Sequence, residues 1–149
     1  MYPVSAVLSS AAIMGVFNPG DHGSTFGGNP LGCAVAREAL RVLVEEDLVA
    51  RAAELGFYML EELAKVKSSH VKQVRGRGLW AGIVLKKEAG GARRFCEALM
   101  RLRVLAKETH EDVIRIAPPL IIDKGTLDWA LERVARVLSA PSPEDICEV

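Results

Sequence analysis

No stretch of this sequence holds the ~18–20 uninterrupted apolar residues needed to span a bilayer. Half of its 149 residues are hydrophobic, but charge interrupts them every few positions. Neither sign of charge is in excess. With 19 basic and 19 acidic side chains the formal net charge is zero. There is also no lysine/arginine block, which argues against a nucleic-acid binder working by phosphate neutralisation. Lysine and arginine are missing from the first twenty residues, so no basic signal or transit segment is expected. Cysteine is scarce: Cys33, Cys96 and Cys147 form no CxxC pair, which fits reduced thiols and a cytoplasmic setting. The histidines, His22, His70 and His110, lie far apart without HExxH spacing, so no metal site is expected.

What is present suits one domain, or one domain and a fragment of another. Residues Tyr2 to Leu8 read as a strand, followed by a short apolar stretch, Ala11 to Phe17. Next comes Asn18-Pro-Gly-Asp-His-Gly-Ser-Thr-Phe-Gly-Gly-Asn-Pro30, whose four glycines and two prolines forbid regular structure. Asn29 is a good N-cap and Pro30 suits the first helical position, so a helix is predicted to about Glu46. Its apolar residues are so frequent that it is expected to be buried on much of its circumference. A second helix, Leu48 to Val66, contains Gly56, where close packing is expected. From Val71 the period becomes two. Val71–Arg75 and Leu79–Leu85 form a predicted hairpin about Gly76-Arg77-Gly78. A helix over Ala92–Leu102 follows, then short strands at Val104–Ala106, Val113–Ala117 and Leu120–Ile122. A last helix is capped by Asp123. The half after Val71 therefore reads as a small α+β domain. One strand and a glycine loop cannot bury their own faces, so the first thirty residues are expected to belong to something larger. Residues 139–149, with two prolines and three acids, are expected to be a disordered tail.

Two places could carry chemistry. In His22-Gly-Ser-Thr-Phe-Gly-Gly-Asn-Pro30, exposed N–H groups, two adjacent hydroxyls (Ser24 and Thr25) and a helix N-terminus suit an anion such as a phosphate. An ordinary capped turn explains the same composition. Arg115 lies inside an apolar run, where alternation sets Val113, Arg115 and Ala117 on one face. It could fork onto a carboxylate or simply meet solvent. Cys33 and Cys96, within apolar helices, are most simply core residues. Arg75-Gly-Arg-Gly78 lies between two strands rather than between a strand and a helix, so it is not a dinucleotide-binding glycine motif.

Five segments appear in order: Tyr2-Pro-Val-Ser-Ala-Val-Leu8, His22-Gly-Ser-Thr-Phe-Gly-Gly-Asn-Pro-Leu-Gly-Cys33, Val74-Arg-Gly-Arg-Gly-Leu79, Leu105-Ala-Lys-Glu-Thr-His110 and Val113-Ile-Arg-Ile-Ala-Pro-Pro-Leu120. Together they resemble the C-terminal part of the class III pyridoxal-phosphate aminotransferases, most closely the ornithine aminotransferases, from Tyr2 to about Leu138. The resemblance implies an α/β chain with the type I aminotransferase fold. Residues 1–46 would close the large cofactor-binding domain and residues 47–138 would form the small α+β domain. It implies a homodimer with shared active sites, amino-acid and 2-oxo-acid substrates, and pyridoxal 5'-phosphate as cofactor. In such a dimer Thr25, with Ser24 beside it, would reach the cofactor phosphate across the interface. Arg115 would bind a substrate carboxylate or pair with a gating glutamate.

The departures are as informative. The family's cofactor-anchoring lysine lies a few residues before the Tyr-Pro strand, and none of the seven lysines here has that context. No catalytic residue is therefore assigned within this sequence, and the 149 residues alone are expected to be inactive. Glu108 stands where the family often has proline. Besides transfer of the δ-amino group of ornithine to 2-oxoglutarate, two readings remain open. One is action on acetylornithine or 4-aminobutyrate, and the other is a non-catalytic binding or dimerisation module.

Overall fold

The computed structural model describes residues 3–146, which divide between Asp47 and Leu48 into two compact units. The first unit contains α1 (Ala11–Met14), the glycine-rich loop and α2 (Pro30–Glu45). The second runs α3 (Leu48–Lys65), β1 (Val71–Gly76), β2 (Ala81–Leu85), α4 (Arg93–Arg101), β3 (Lys107–Thr109), β4 (Val113–Ile116) and α5 (Lys124–Ser139).

The second unit is two layers, helices on one face of a four-stranded sheet. The strand order is β1-β2-β4-β3, with every neighbouring pair antiparallel. Alternation along β2 sends Ala81, Ile83 and Leu85 inward, where they are fully buried, and leaves Gly82 and Val84 on the opposite face. Ile114 of β4 joins the inner set. Against it pack Met59 and Leu63 of α3, Phe95 and Leu99 of α4, and Leu127, Val134 and Leu138 of α5. Burial of side chains of this size stabilises by roughly 1.5–3 kcal/mol each, which is what holds the helices to the sheet. Asp123 caps α5, its carboxylate accepting from Thr126 N at 2.8 Å. The β1–β2 turn is closed by Arg77 N donating to Trp80 O at 3.0 Å, with Gly78 at a φ of +55°. Strands thus flank Arg75-Gly-Arg-Gly78 on both sides.

Several expectations are corrected. Residues 3–8 form no strand and are exposed, because the described residues of the first unit contain no strand to complete a ladder. Tyr2 lies outside the described residues. In α2 only Gly32 is buried, and Cys33 is exposed rather than part of a core. The apolar residues of that helix have no partner face within the unit; Leu40 and Val44 are both open to solvent.

The strands expected at Val104–Ala106 and Leu120–Ile122 are absent. Arg103, at a φ of +63°, ends α4 with Val104 N returning to Leu99 O, so the chain is still unwinding from a helix there. The strand falls instead at Lys107–Thr109, and left-handed His110 and Glu111 turn it back into β4. Pro118 and Pro119 end β4, since neither has an N–H for the ladder. Ile122 N then donates to Pro119 O, a turn leading into the cap of α5.

The segment after α5 is ordered as far as it is described, contrary to the expected disorder. Pro143 is fully buried and residues Pro143–Asp145 form a short 3₁₀ turn. Arg101 of α4 donates to Pro143 O at 3.0 Å and to Ile146 O at 3.2 Å, while Arg94 pairs with Glu144. His70 Nε2 bonds Ala140 O at 2.9 Å. These partners offset the polarity that composition alone reads as disorder. Residues 147–149 lie outside the described residues.

Candidate functional site

In the first unit the glycine loop wraps an open cavity of about 710 Å³. Asn29 is built as the sequence predicts. Its Oδ1 accepts from Gly32 N at 2.8 Å, and its Nδ2 donates to Phe26 O at 2.7 Å. The loop is thereby fixed to the first turn of α2. Ser24 Oγ accepts from Gly27 N at 3.1 Å, which leaves its hydroxyl proton to donate. Gly28 has a φ of +69°, which an L side chain rarely adopts. Ser24, His22, Gly27, Gly28 and Asn29 line the cavity, and no acidic residue does. Thr25 is exposed and does not line it. Small residues, a free hydroxyl proton and the N-terminus of a sixteen-residue helix fit a phosphate. The described residues of this unit include no lysine, so a covalent anchor for a carbonyl cofactor is not among them.

In the second unit the sheet face away from the helices carries Arg115. The β4 residue pairs with Gly82 of β2 on one side and Lys107 of β3 on the other, and it is exposed. It lines an open groove of about 420 Å³ with Arg75, Arg77, Trp80 and His110. The side chains of Arg75, Arg77 and Arg115 make no hydrogen bond or ion pair with any described residue. Arg75, Arg77 and Trp80 were not singled out as site residues by sequence reasoning. The signal was the hairpin register, which puts Arg75 opposite Gly82, one strand from Arg115.

Glu108, the residue without a sequence rationale, is the middle residue of β3, paired with Ile114. A hydrogen bond from its own backbone N–H, then Arg93 at 3.1 Å and Lys107 at 3.2 Å, hold its carboxyl down at about 2. It is a local charge clamp at the sheet edge. Cys96 is buried in α4, and loss of solvation pushes its thiol up to about 11, so it is a packing residue and not a nucleophile. Among the described residues no cluster of three or more metal-ligating side chains occurs, and no helix is long and apolar enough to cross a membrane.

A family model described as Aminotransferase class-III matches residues 2–138. The chain is 51% identical over 138 residues to an ornithine aminotransferase of Brevibacillus brevis, covering 93% of this chain and 34% of that protein. It is likewise 51% identical over 138 residues to an ornithine aminotransferase of Bacillus subtilis, with the same coverage. Among solved structures it is similar to the ornithine aminotransferase of Plasmodium yoelii, with a TM-score of 0.81 at 38% identity over 88% of this chain and 35% of that one. It is also similar to the acetylornithine aminotransferase of Elizabethkingia anophelis, with a TM-score of 0.81 at 43% identity over 93% and 37%. The chain thus spans about a third of the length of the curated relatives it matches.

Proposed function

The chain belongs to the class III aminotransferases, and from that membership we propose that the protein it is part of is an ornithine aminotransferase. The reaction is transfer of the δ-amino group of ornithine to 2-oxoglutarate, with pyridoxal 5'-phosphate as cofactor. One observation carries the substrate. Identity of about half, extending across the glycine loop and the Arg115 strand together, is to relatives that bear that name.

In this reading the cofactor, when bound, would supply an electron sink for electrons released at the carbon that bears the transferred amino group, the δ-carbon of ornithine. Ser24 Oγ–H and Thr25 Oγ1–H donate to the cofactor phosphate, and the N-terminus of α2 adds a favourable dipole. Thr25, which does not line the cavity of its own loop, serves the site of a second copy in a homodimer. Arg115 forks onto a substrate carboxylate and orients the chain of the substrate. Residues 1–46 close the large domain, residues 47–138 are the small domain, and the enzyme is cytoplasmic. The 149-residue chain alone lacks the anchoring lysine and is inactive.

The test compares amino transfer to 2-oxoglutarate from ornithine, acetylornithine and 4-aminobutyrate by the whole protein, with 2-oxoglutarate omitted as the control, and then by this chain with added cofactor. Transfer from ornithine by the whole protein alone is the expected result. Turnover by the chain above the cofactor-only blank overturns its inactivity. Preference for acetylornithine would favour the second reading, to which the likeness to the Elizabethkingia enzyme points.

A further inference from the structure

The cap of α2 is an amide, which is more than capping needs. Asn29 Oδ1 accepts from Gly32 N at 2.8 Å, and a serine, threonine or aspartate at that position would do the same. The Nδ2 group is then left over, and it donates to Phe26 O at 2.7 Å. Asn29 N–H donates to the same oxygen at 3.4 Å. Both lone pairs of the Phe26 carbonyl are thus engaged by one residue.

A peptide unit is planar and trans, so holding Phe26 O fixes the direction of the Gly27 N–H on its opposite side. That N–H meets Ser24, 3.1 Å from Oγ and 3.4 Å from the carbonyl oxygen. With Oγ accepting, the Ser24 hydroxyl has its proton to give, and no described residue takes it. The N–H groups of Thr25, Phe26 and Gly28 likewise donate to no described residue. Two glycines follow Phe26, and a chain of that kind rotates its peptide planes readily. A plane turned over at Phe26 would bring a carbonyl oxygen to where the Gly27 N–H now stands. That oxygen would claim the Ser24 proton for itself.

We propose that Asn29 is a positioning residue for the anion-holding loop: its grip on the Phe26 carbonyl keeps Gly27 N–H on Ser24 Oγ and so directs the Ser24 hydroxyl proton at a phosphate ester. The proposal rests on the aminotransferase reading, in which the cofactor phosphate meets this loop. It goes beyond that reading by giving cofactor affinity to a residue that acts only through Ser24, and it separates the two halves of the Asn29 amide. Oδ1 starts the helix and Nδ2 sets the loop.

The test needs no turnover. The whole protein, stripped of cofactor, is titrated with pyridoxal 5'-phosphate, and the absorbance of the bound ring gives the dissociation constant. Asn29→Ser keeps the cap and removes the tether. It is expected to weaken binding about tenfold, the worth of one hydrogen bond to a charged group, with the urea midpoint unchanged. Asn29→Ala is expected to weaken binding equally and also to lower the midpoint, through loss of the cap. Ser24→Ala is expected to weaken binding as much, and Asn29→Ser added to it to weaken it no further. The phosphorus resonance of the bound cofactor should move to one common position in Asn29→Ser and Ser24→Ala. An Asn29→Ser variant that binds as the parent does, a loss of affinity seen only where the midpoint also falls, or losses that add in the double variant, each overturn the proposal. The two readings fail distinguishably. A whole protein that binds no pyridoxal 5'-phosphate refutes the aminotransferase reading and the proposal with it, whereas binding that Asn29→Ser leaves untouched refutes the positioning role alone.

Discussion

A Cβ placed on Gly56 of α3 would lie 2.1 Å from the carbonyl carbon of Gly78 in the β1–β2 turn. The helix and the turn meet backbone to backbone, and no side chain fits between them. This contact holds the hairpin that carries Arg75 and Arg77 against α3.

Gly56→Ala is therefore expected to destabilise the chain by about 1–3 kcal/mol or more, as overpacking does. At an unconstrained helix position the same substitution would stabilise by about 1 kcal/mol, so the sign of the change is diagnostic. The urea midpoint of the variant against the parent measures it.

The segment after α5 is held by charge. Arg94, and then the Ser142 hydroxyl, hold the Glu144 carboxyl down at about 2. Because the folded value is depressed, the stabilising contribution is complete above the ordinary carboxylate range and is lost as pH falls toward 2. Glu144→Gln is expected to lower the amide protection factors at residues 142–146 at neutral pH to the level that the parent reaches in acid. Unchanged protection would show that Pro143 burial and the Arg101 bonds to Pro143 O and Ile146 O hold the segment without the Glu144 charge.

At the sheet edge Glu108 titrates by the same sign. Its carboxyl resonance is expected to move with a midpoint of about 2. Arg93→Ala removes one of the groups that depress it and should move the midpoint up toward the ordinary range. A midpoint already at the ordinary value in the parent would remove Arg93 and Lys107 as its partners.

The two described cysteines should differ in reactivity. In a Cys147→Ser background, one thiol, Cys33, is expected to react promptly with an aromatic disulfide reagent because it is exposed. Cys96, buried and with its thiol pushed up to about 11, should react only on unfolding. Two equally fast thiols would contradict the packing of α4.

The helices of the second unit were legible because each writes its own signals: apolar residues three and four apart, and Asp123 as an N-cap. Gly56 was legible too, since a glycine inside a strong helix asks for a close neighbour. The misses share a physical cause. Val104–Ala106 and Leu120–Ile122 have strand-like composition, but the left-handed turn at Arg103 and the prolines before Leu120 decide their conformation. The order of residues 140–146 depends on Arg94 and Arg101, which lie far away in sequence. In α2 the frequent apolar residues predicted burial, but the described residues of the first unit offer no face to bury them against. The Asn29 cap that ties the glycine loop to α2 was visible from composition. The groove was visible only as Arg115, because Arg75 enters through strand register, which no local window contains.

That register also orders assembly in time. The β1–β2 and β3–β4 hairpins each close over a few residues, whereas joining β2 to β4 at Ile83 and Ile114 must gather the whole of α4 into the closed loop. Loop closure of that length is the entropically demanding event, so the seam between the two hairpins is expected to limit the refolding rate. Gly82 and Arg115 face one another across that seam. The groove lined by Arg75 and Arg115 is then the last surface of the sheet to come into being, and a slow phase in refolding should be matched by a slow appearance of whatever binds there.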